Sequence, residues 1–141
     1  MPENLLGREL CCVVVTPEKA VIDEKADFVA VPMFDGELGV LPGRAPLIGR
    51  LGYGELRIRH GTQTRRFFVD GGFVQVRANT VTVLTSRAQR AEDIDTNAVN
   101  QTLQAAIAPA PTTQERENQL KVQERARAQL RVARHREEGG G

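Results

Sequence analysis

The stretch VQVRANTVTV, Val74–Val83, places two alternating runs of apolar and polar residues on either side of Ala78-Asn79. Alternation of this kind puts the valines on one face of a strand, and a two-residue break that contains Asn is typical of a tight hairpin turn. The stretch therefore predicts two paired antiparallel strands. A second turn is predicted at His60-Gly61.

Similar short runs fill the part of the chain that precedes this hairpin. Leu10–Val15 and Phe28–Val31 are apolar and rich in β-branched residues, and Glu55–Arg59 alternates, with Leu56 and Ile58 predicted to point inward. Strands this short and closely spaced, with no helical periodicity between them, favour an antiparallel β-sandwich or barrel.

After about Ser86 the pattern becomes helical. Glu92, Asp93 and Asp95 place acid where the dipole of a first helical turn favours it, and apolar residues then recur at near-helical spacing. Proline lacks a backbone donor, so Pro109 and Pro111 are predicted to end this helix. The predicted organisation is a β domain over 1–87, a helical hairpin over 88–138 (helices at about 92–108 and 113–137, a proline hinge at 109–112) and a disordered tail at 139–141.

Composition narrows the class of protein. The 141 residues are 40% hydrophobic, which is enough for a packed core. The formal net charge is +1, so the chain has no strong positive field that would attract nucleic acid. Cys11 and Cys12 are adjacent, so on a strand they point to opposite faces and cannot bridge, which indicates a reducing compartment. No run of 18 apolar residues occurs, so membrane association is expected only through a partner.

Residues for catalysis are hard to find. His60 lies in a predicted turn and His135 in an arginine-rich helix, and neither CxxC nor HExxH spacing is present. Ser86 has no nucleophile-elbow context. The sequence therefore predicts a protein that is not an enzyme by itself and that carries no metal or cofactor.

Two segments leave alternatives open. FDGELGVLPGRAPL, Phe34–Leu47, is either a chain of tight turns between strands or a docking loop. The docking loop is considered because the segment has more apolar residues than a surface without a partner usually carries. The second helix is rich in arginine, which is either a solvated charged face or a cationic arm for an acidic protein surface, with RNA or anionic lipid as further targets. The arginines are Arg125, Arg127, Arg131, Arg134 and Arg136.

Three blocks together resemble the epsilon subunit of bacterial F-type ATP synthases. FDGELGVLPGRAPLIG resembles that family's GELG-x-LPGHAPL signature. CVVVTPEKAVIDEKADFVAVP looks like its first hairpin, and FVDGGFVQVRANTVTVLTSRAQRAEDID like its SGGF…VTVL…RAEDID block. The blocks stand in the family's order and cover most of residues 10–95, whereas the C-terminal part is similar only through ARAQLRVA and its general character.

The resemblance implies an α+β fold, with a flattened antiparallel β-sandwich of about ten strands followed by a two-helix hairpin. It implies a non-catalytic central-stalk subunit at the cytoplasmic face of the bacterial plasma membrane. Its partners would be the gamma subunit, the c-ring and, through the helices, the alpha and beta subunits. It would couple proton flow to ATP synthesis, and its helices would inhibit ATP hydrolysis.

The resemblance also implies contact residues. It assigns c-ring contact to Asp35, Glu37 and Leu38, and gamma docking to Leu41, Pro42, Arg44, Ala45, Pro46 and Leu47. Arg44 stands where the family usually has His, so no pH-sensitive contact is expected there. The inhibitory arm toward the beta subunit would use Arg125, Arg127, Arg131 and Arg134.

An alternative function is a regulatory module that senses nucleotide. Some family members hold ATP between the two helices with an I/L-D-x-x-R-A motif and two arginines of the second helix. Here Ile94, Asp95 and Arg125 match, but Ala98 and Gln129 stand where two of the arginines should be. Because two cations that would pair with a triphosphate are missing, the sequence predicts weak or no ATP binding.

Overall fold

The computed structural model describes residues 9–18, 20–107, 109 and 112–137, in which a β domain precedes two helices. The strands are β1 (Leu10–Val15), β2 (Ala20–Ala26), β3 (Phe28–Met33), β4 (Gly36–Val40), β5 (Leu47–His60), β6 (Gln63–Arg77), β7 (Thr80–Leu84) and β8 (Ala88–Arg90). A short 3-10 turn, Ala91–Asp93, leads to α1 (Thr96–Ile107) and α2 (Thr113–Glu137). Residues 139–141, the predicted tail, lie outside the described residues.

The strands are hydrogen-bonded in the order β2-β1-β7-β6-β5-β3-β4, and β8 pairs with β6. The predicted α+β fold, a β-sandwich followed by a helical hairpin, is confirmed, but the described residues form eight strands rather than about ten. The prediction of an antiparallel sheet also needs one correction, because β1 and β7 run parallel, with Cys11 opposite Thr80 and Val15 opposite Leu84. A parallel pair needs a long crossover connection, and here β2 to β6 provide it.

The hairpin of β6 and β7 is confirmed at the predicted residues. Ala78 and Asn79 connect the strands with φ angles of 50° and 60°. Two positive φ values in succession define the turn type whose twist matches that of paired strands, and Asn tolerates this conformation well. The predicted turn after His60 is also present, with Gly61 at φ 63°.

The sheet closes into a sandwich because its two longest strands bend at glycines. β5 and β6 contain 14 and 15 residues. On a regular strand, residues five positions apart point to opposite faces. Leu51 and Leu56 on β5 are nevertheless both buried, and the same is true of Val69 and Val74 on β6. Each strand therefore changes the face that it buries between these two residues. Gly52 on β5 and Gly71-Gly72 on β6 lie at this change, where a residue without a side chain allows a strand to turn into the second layer.

Among the described residues, the buried core between the two layers is aliphatic apart from Cys12 and the aromatic ring of Phe67. The inward residues are those that alternation predicts, including Leu56, Ile58, Val74 and Val76, each at most 1% exposed. Phe67 and Phe68 are neighbours on β6 and both are fully buried. Because neighbours on a strand point to opposite faces, Phe67 fills the core and Phe68 lies on the outer face, under the helices.

The helical hairpin covers the outer face of one layer. Ala126, Ala128, Val132 and Ala133 of α2 are buried in one cluster with Phe68. Small side chains let the helix approach the sheet closely, but each buries little apolar area, so the docking energy per residue is small. The larger Leu130 of α2 packs against this cluster but is only partly buried, so the fully buried contacts of α2 are made by small side chains.

Two element boundaries differ from those expected. The sequence predicts the first helix from about 92, but α1 begins at Thr96 because the Asp95 carboxylate accepts hydrogen bonds of 3.1 Å from the backbone N–H groups of Asn97 and Ala98. β8 lies beyond the predicted end of the β domain at 87 and pairs with β6 through Phe67–Val69. Of the predicted hinge, the structure describes only Pro109 and Thr112.

Candidate functional site

No described element covers one outer face of the sandwich. We call this surface the apolar face, and it consists of Ile48, Phe73 and Leu84. Their exposed fractions are 76%, 56% and 49%. Phe73 is paired with Leu84 on β7 and with Arg50 on β5, so the three side chains lie on one side of adjacent strands. Large exposed apolar groups that are contiguous in this way are typical of an interaction surface.

The loop Leu41–Pro46 borders the apolar face and has a fixed shape. The Arg44 N–H donates to the Leu41 carbonyl at 3.2 Å, and Gly43 has a φ of 88°. Pro followed by Gly at the centre of such a turn is the sequence that a type II turn requires. The Gly43 N–H also donates to the Asn79 side-chain oxygen at 2.8 Å, which ties the loop to the β6–β7 turn.

The structure gives different exposure to the residues predicted to dock on gamma. Leu41, Arg44, Ala45 and Pro46 are exposed, with Leu41 at 58%. Pro42 is half-buried, and Leu47 packs against the sandwich core. The exposed members of this set can therefore touch a partner directly, whereas Leu47 holds the end of the loop in place.

The residues predicted to contact the c-ring belong to the β3–β4 hairpin. Phe34 and Asp35 form its tip and are exposed, with Phe34 at 67%. Glu37 is exposed and accepts a hydrogen bond of 3.3 Å from Arg57. Leu38 is half-buried against the core, so its side chain serves packing more than contact.

One depression joins the two sets of predicted contact residues. It encloses about 400 Å³ and is lined by residues of β4, of the loop and of the start of β5. From the predicted c-ring set it contains Asp35, Glu37 and Leu38, and from the predicted gamma set Arg44 and Leu47. Two segments that are separate in the sequence thus form one surface at the same end of the sandwich.

An ion pair fastens α2 to the bend of the sandwich. Arg125 lies 3.0 Å from Asp70, whose side chain is only 10% exposed, and its guanidinium lies 5.4 Å from the centre of the Tyr53 ring. Because the low exposure of Asp70 leaves it little water, losing this cation would cost more than losing a surface pair. Arg125, predicted for the inhibitory arm, is therefore engaged inside the molecule in this arrangement.

A second polar contact fastens α2 further along, at Glu55. The Glu55 side chain is 9% exposed and pairs with Arg57 at 3.6 Å and Arg66 at 3.5 Å, both on the sheet. His135 of α2 contacts the same carboxylate through its Nδ1. Glu55 faces away from the core, as predicted, but the helix covers it. Its carboxylate must therefore form its hydrogen bonds and ion pairs with protein side chains rather than with water.

Within the described part of the chain, the remaining arginines of the predicted arm form no ion pair with the sheet. Arg127, Arg131 and Arg134 are exposed, and Arg127 donates to the Gln123 side chain on its own helix at 3.3 Å. The side chain of Arg136 lies outside the described residues. Arg127 and Arg131 line the mouth of a cleft between α2 and the bend of the sandwich, where their side chains remain accessible to solvent.

The predicted ATP site corresponds to a cleft of about 320 Å³ between the helices, which contains Asp95, Arg125 and Gln129. Asp95 caps α1, Arg125 is paired with Asp70, and Gln129 donates to the Gln89 side chain at 2.7 Å. Ile94 is buried beside Phe68. These internal partners favour the prediction of weak or no ATP binding, which stays a prediction.

Groups that could carry chemistry are few in the described part of the chain, where no three His, Cys, Asp or Glu side chains could together hold a metal ion. Burial raises the pKa of the Cys12 thiol to about 12. Burial also raises the pKa of Cys11, assisted by its hydrogen bond to Asp23. Both cysteines are therefore poor nucleophiles.

Sequence reasoning did not select the apolar face, Asp70 or Glu55 as functional. A signal for the apolar face existed, because Phe73 and Leu84 occupy the outward positions of the predicted hairpin, next to inward Val74 and Val83. Large apolar residues at outward positions indicate either a covering element or a partner. For Asp70 and Glu55 no sequence signal existed, because their roles depend on where α2 lies.

Comparison with known proteins places the β domain in one family. The family model described as "ATP synthase, Delta/Epsilon chain, beta-sandwich domain" matches residues 9–91. The ATP synthase epsilon chain of Rhodopirellula baltica is 51% identical over 124 residues, which cover 87% of this chain and 97% of that protein. The epsilon chain of Nitratidesulfovibrio vulgaris is 38% identical over 122 residues, covering 84% and 91%.

Solved structures share the fold at low sequence identity. A chain of the Euglena gracilis mitochondrial ATP synthase, solved as OSCP, F1 and c-ring, superimposes with a TM-score of 0.77 and 22% identity, covering 87% of this chain and 82% of that one. A chain of the Tetrahymena thermophila mitochondrial ATP synthase, solved as central stalk and c-ring, gives 0.64 and 17%, covering 88% and 96%.

The family model covers more than half of the sequence, and the two bacterial relatives align over nearly their whole length. On these grounds the chain belongs to the ATP synthase epsilon-chain family, whose members are accessory, non-catalytic subunits.

Proposed function

We propose that the chain is a central-stalk subunit of a proton-translocating ATP synthase, turning with the rotor and coupling proton flow to ATP synthesis. The family assignment supports this role, and so do the two solved relatives of the same fold, which come from assemblies that contain the c-ring. None of the described helices is long and apolar enough to cross a membrane. We propose that the complex holds the chain at the cytoplasmic face of the bacterial membrane.

The observation that carries this proposal is the division of the outer surface of the sandwich. The helices cover Phe68 on one side, while Ile48, Phe73 and Leu84 stay exposed on the other. We assign the apolar face, together with Leu41, to the gamma subunit. A rotor contact must not slip under torque, and burial of large apolar side chains on a rigid sheet provides such a contact.

The loop beside the apolar face suits the same partner. Its type II turn at Pro42-Gly43 and the hydrogen bond from Gly43 to Asn79 hold it in one conformation. A loop that is ordered before binding loses little entropy when it docks. Arg44, Ala45 and Pro46 then offer exposed surface at the edge of the gamma contact.

The β3–β4 hairpin is assigned to the c-ring. Its tip places Phe34 and Asp35 in solvent, and Glu37 adds a carboxylate that is tethered by Arg57. Carboxylates at a hairpin tip suit the polar loops of a membrane ring, which can offer them hydrogen-bond donors. We therefore place Asp35 and Glu37 at the ring, with Leu38 supporting the hairpin from inside.

The helices are assigned to the regulation of ATP hydrolysis. In the docked arrangement Arg125 pairs with Asp70, while Arg127, Arg131 and Arg134 face solvent. We propose that the docked hairpin permits hydrolysis, and that an extended hairpin inhibits it by placing these arginines against an acidic surface of the beta subunit, next to alpha. The small side chains at the docking surface keep the energy difference between the two arrangements modest.

Capture of the gamma subunit tests the docking assignment. The double variant Ile48→Glu, Phe73→Glu should retain the fold, because both side chains are exposed, and should lose most of its binding to immobilised gamma at high salt. Apolar docking survives salt, so the wild type should still be captured under these conditions.

The matched control is Leu120→Glu, which introduces the same charge at an apolar side chain of α2 that is 56% exposed. It should bind gamma as the wild type does. Equal capture of the double variant and the wild type would refute the apolar face as the gamma contact.

Removal of the helices tests the regulatory assignment. A chain that ends at Asp95 keeps β8 and the 3-10 turn, which belong to the β domain, and loses α1 and α2. In a reconstituted complex it should raise ATP hydrolysis relative to the full chain. Unchanged hydrolysis, with the truncated subunit shown to be incorporated, would count against inhibition by the helices.

A further inference from the structure

A large cleft lies where the sandwich bends, between the β domain and α2. It encloses about 750 Å³. Its floor contains Gly52, Gly71 and Gly72. A Cβ atom at Gly72 would lie 1.9 Å from the Leu84 carbonyl oxygen, and one at Gly52 would lie 3.0 Å from that of Met33. A side chain at Gly72 or Gly52 would therefore displace the neighbouring backbone that borders the cleft.

The cleft is lined by cations from both domains. Arg50 comes from β5, and Arg125, Arg127 and Arg131 come from α2. The lining contains two acids, Asp70 and Glu124, of which Asp70 is neutralised by Arg125 at 3.0 Å.

Apart from the Arg125–Asp70 pair, the charged residues of the lining are three arginines and one exposed glutamate. The lining therefore has an excess of positive charge. Arg50 is positioned by the Phe34 ring, whose centre lies 5.9 Å from its guanidinium. An arrangement of guanidinium groups around a concave floor suits an anion that can accept several paired hydrogen bonds at once.

We propose that this cleft binds a small anion with two phosphoryl groups, of the pyrophosphate class, which bridges Arg50 of the sandwich to Arg127 and Arg131 of α2. The site differs from the cleft between the helices that contains Asp95 and Gln129, although Arg125 lines both. Two phosphoryl groups supply enough charge to balance the excess of cations and enough oxygen atoms to reach arginines on both domains.

The position of the cleft gives the anion a regulatory effect. Because its arginines belong to two domains, a bound anion stabilises the docked hairpin by mass action. Arg127 and Arg131 are also two of the arginines assigned to the beta subunit, so the anion and the inhibitory contact exclude each other. This second step rests on the proposed function, whereas binding of the anion does not.

Calorimetry with sodium pyrophosphate on the isolated full-length chain tests the site, with ionic strength held constant by KCl. The wild type should bind one equivalent. The double variant Arg127→Gln, Arg131→Gln and the single variant Arg50→Gln should each lose about tenfold or more in affinity, because a hydrogen bond to a charged group contributes about 1.5–3 kcal/mol. Far-UV circular dichroism checks that each variant is folded.

Arg116→Gln is the matched control, since Arg116 is exposed on α2 and does not line the cleft. Its affinity should stay within about twofold of the wild type, well below the tenfold step that corresponds to about 1.4 kcal/mol. In NMR spectra the backbone amides of Gly71 and Gly72 should shift on titration. An absence of binding, an equal loss in the control, or unshifted glycine amides would overturn the assignment.

Hydrolysis assays separate this inference from the proposed function. In the reconstituted complex, the double variant should weaken inhibition and should abolish any effect of pyrophosphate on it. If pyrophosphate binds the isolated chain but the chain ending at Asp95 leaves hydrolysis unchanged, the site stands and the inhibitory role fails. If no binding occurs while that truncation raises hydrolysis, the inhibitory role stands and the site fails.

Discussion

At the scale of single residues, the adjacent cysteines show how a strand gives neighbouring side chains different environments. Cys12 points into the core and is fully buried, whereas Cys11 is half-buried beside Asp23. Burial of Cys12 removes its thiolate from water, and this raises its pKa to about 12. The outward Cys11 has a raised pKa for the same reason, together with its bond to Asp23.

Thiol labelling follows from this difference. At pH 8 a raised pKa leaves little thiolate, so Cys12 should not react in the native chain and Cys11 should react slowly, faster as the pH rises. A colorimetric thiol reagent should count one thiol in the native protein and two in guanidinium chloride. Cys11→Ser, the control, should leave no reactive thiol until the chain unfolds. Two thiols reacting at one rate in the native state would contradict the placement of Cys12.

Glycines at positive φ also differ in what surrounds them. Gly72 has a φ of 110° and a Cβ there would meet the Leu84 backbone, whereas Gly61 has a φ of 63° in a turn with open space. Gly72→Ala adds a steric clash to backbone strain and should cost about 3 kcal/mol or more. Gly61→Ala should cost only about 1–2 kcal/mol, the strain alone. Urea unfolding measures both, and equal costs would argue against the bend at Gly72.

At the scale of elements, α2 is fastened by the Arg125–Asp70 ion pair at one point and by the His135–Glu55 contact at another. A double-mutant cycle with Arg125→Gln and Asp70→Asn should give a coupling energy of about 1 kcal/mol, because Arg125 is 37% exposed and water screens part of the attraction. The free energy of unfolding provides the readout. The same cycle with Arg134→Gln should give no coupling, since Arg134 is not paired with Asp70 in the structure.

The elements also show what a sequence can and cannot predict. Alternation at Val74–Val83 and the turn at Ala78-Asn79 are local properties, so the β6–β7 hairpin was predictable residue by residue. The parallel pairing of β1 with β7 was not, because it joins residues about 70 positions apart and leaves no local pattern. The short, closely spaced strands predicted a sandwich or a barrel, and the resemblance to a known family selected the sandwich.

The candidate site divides in the same way. The loop at Leu41–Leu47 was visible as a cluster of Gly, Pro and apolar residues, and its turn chemistry follows directly from Pro42-Gly43. The partners of Arg125 and Glu55 depend on where α2 docks on the sheet. The apolar face of this helix is small, so the sequence does not predict its docking position. Charges on α2 could be counted from the sequence, but the surface that they face could not.

At the scale of the whole molecule, the docked hairpin should be separable from the β domain by one substitution. Val132 is 1% exposed and packs in one cluster with Phe68, so Val132→Asp places a carboxylate in an apolar contact and should release α2. Hydrogen exchange should increase in α2 while the core strands stay protected, and the hydrodynamic radius should increase. In a reconstituted complex the released arm should lower ATP hydrolysis.

Leu120→Asp is the control for this release, since Leu120 is 56% exposed on the same helix. It should leave exchange, size and hydrolysis as they are in the wild type. Protection of α2 that is unchanged in Val132→Asp would show that the docking does not depend on this contact.

The parallel pairing of β1 with β7 also constrains the order in which the chain can be made. β1 leaves the ribosome early. Its partner β7 (Thr80–Leu84) is synthesised only about 70 residues later, so one edge of β1 stays unpaired until then. Until then an apolar strand edge is open during translation, when unpaired edges promote aggregation. The sandwich can therefore close only late in synthesis, once β7 has emerged and shortly before the helices follow.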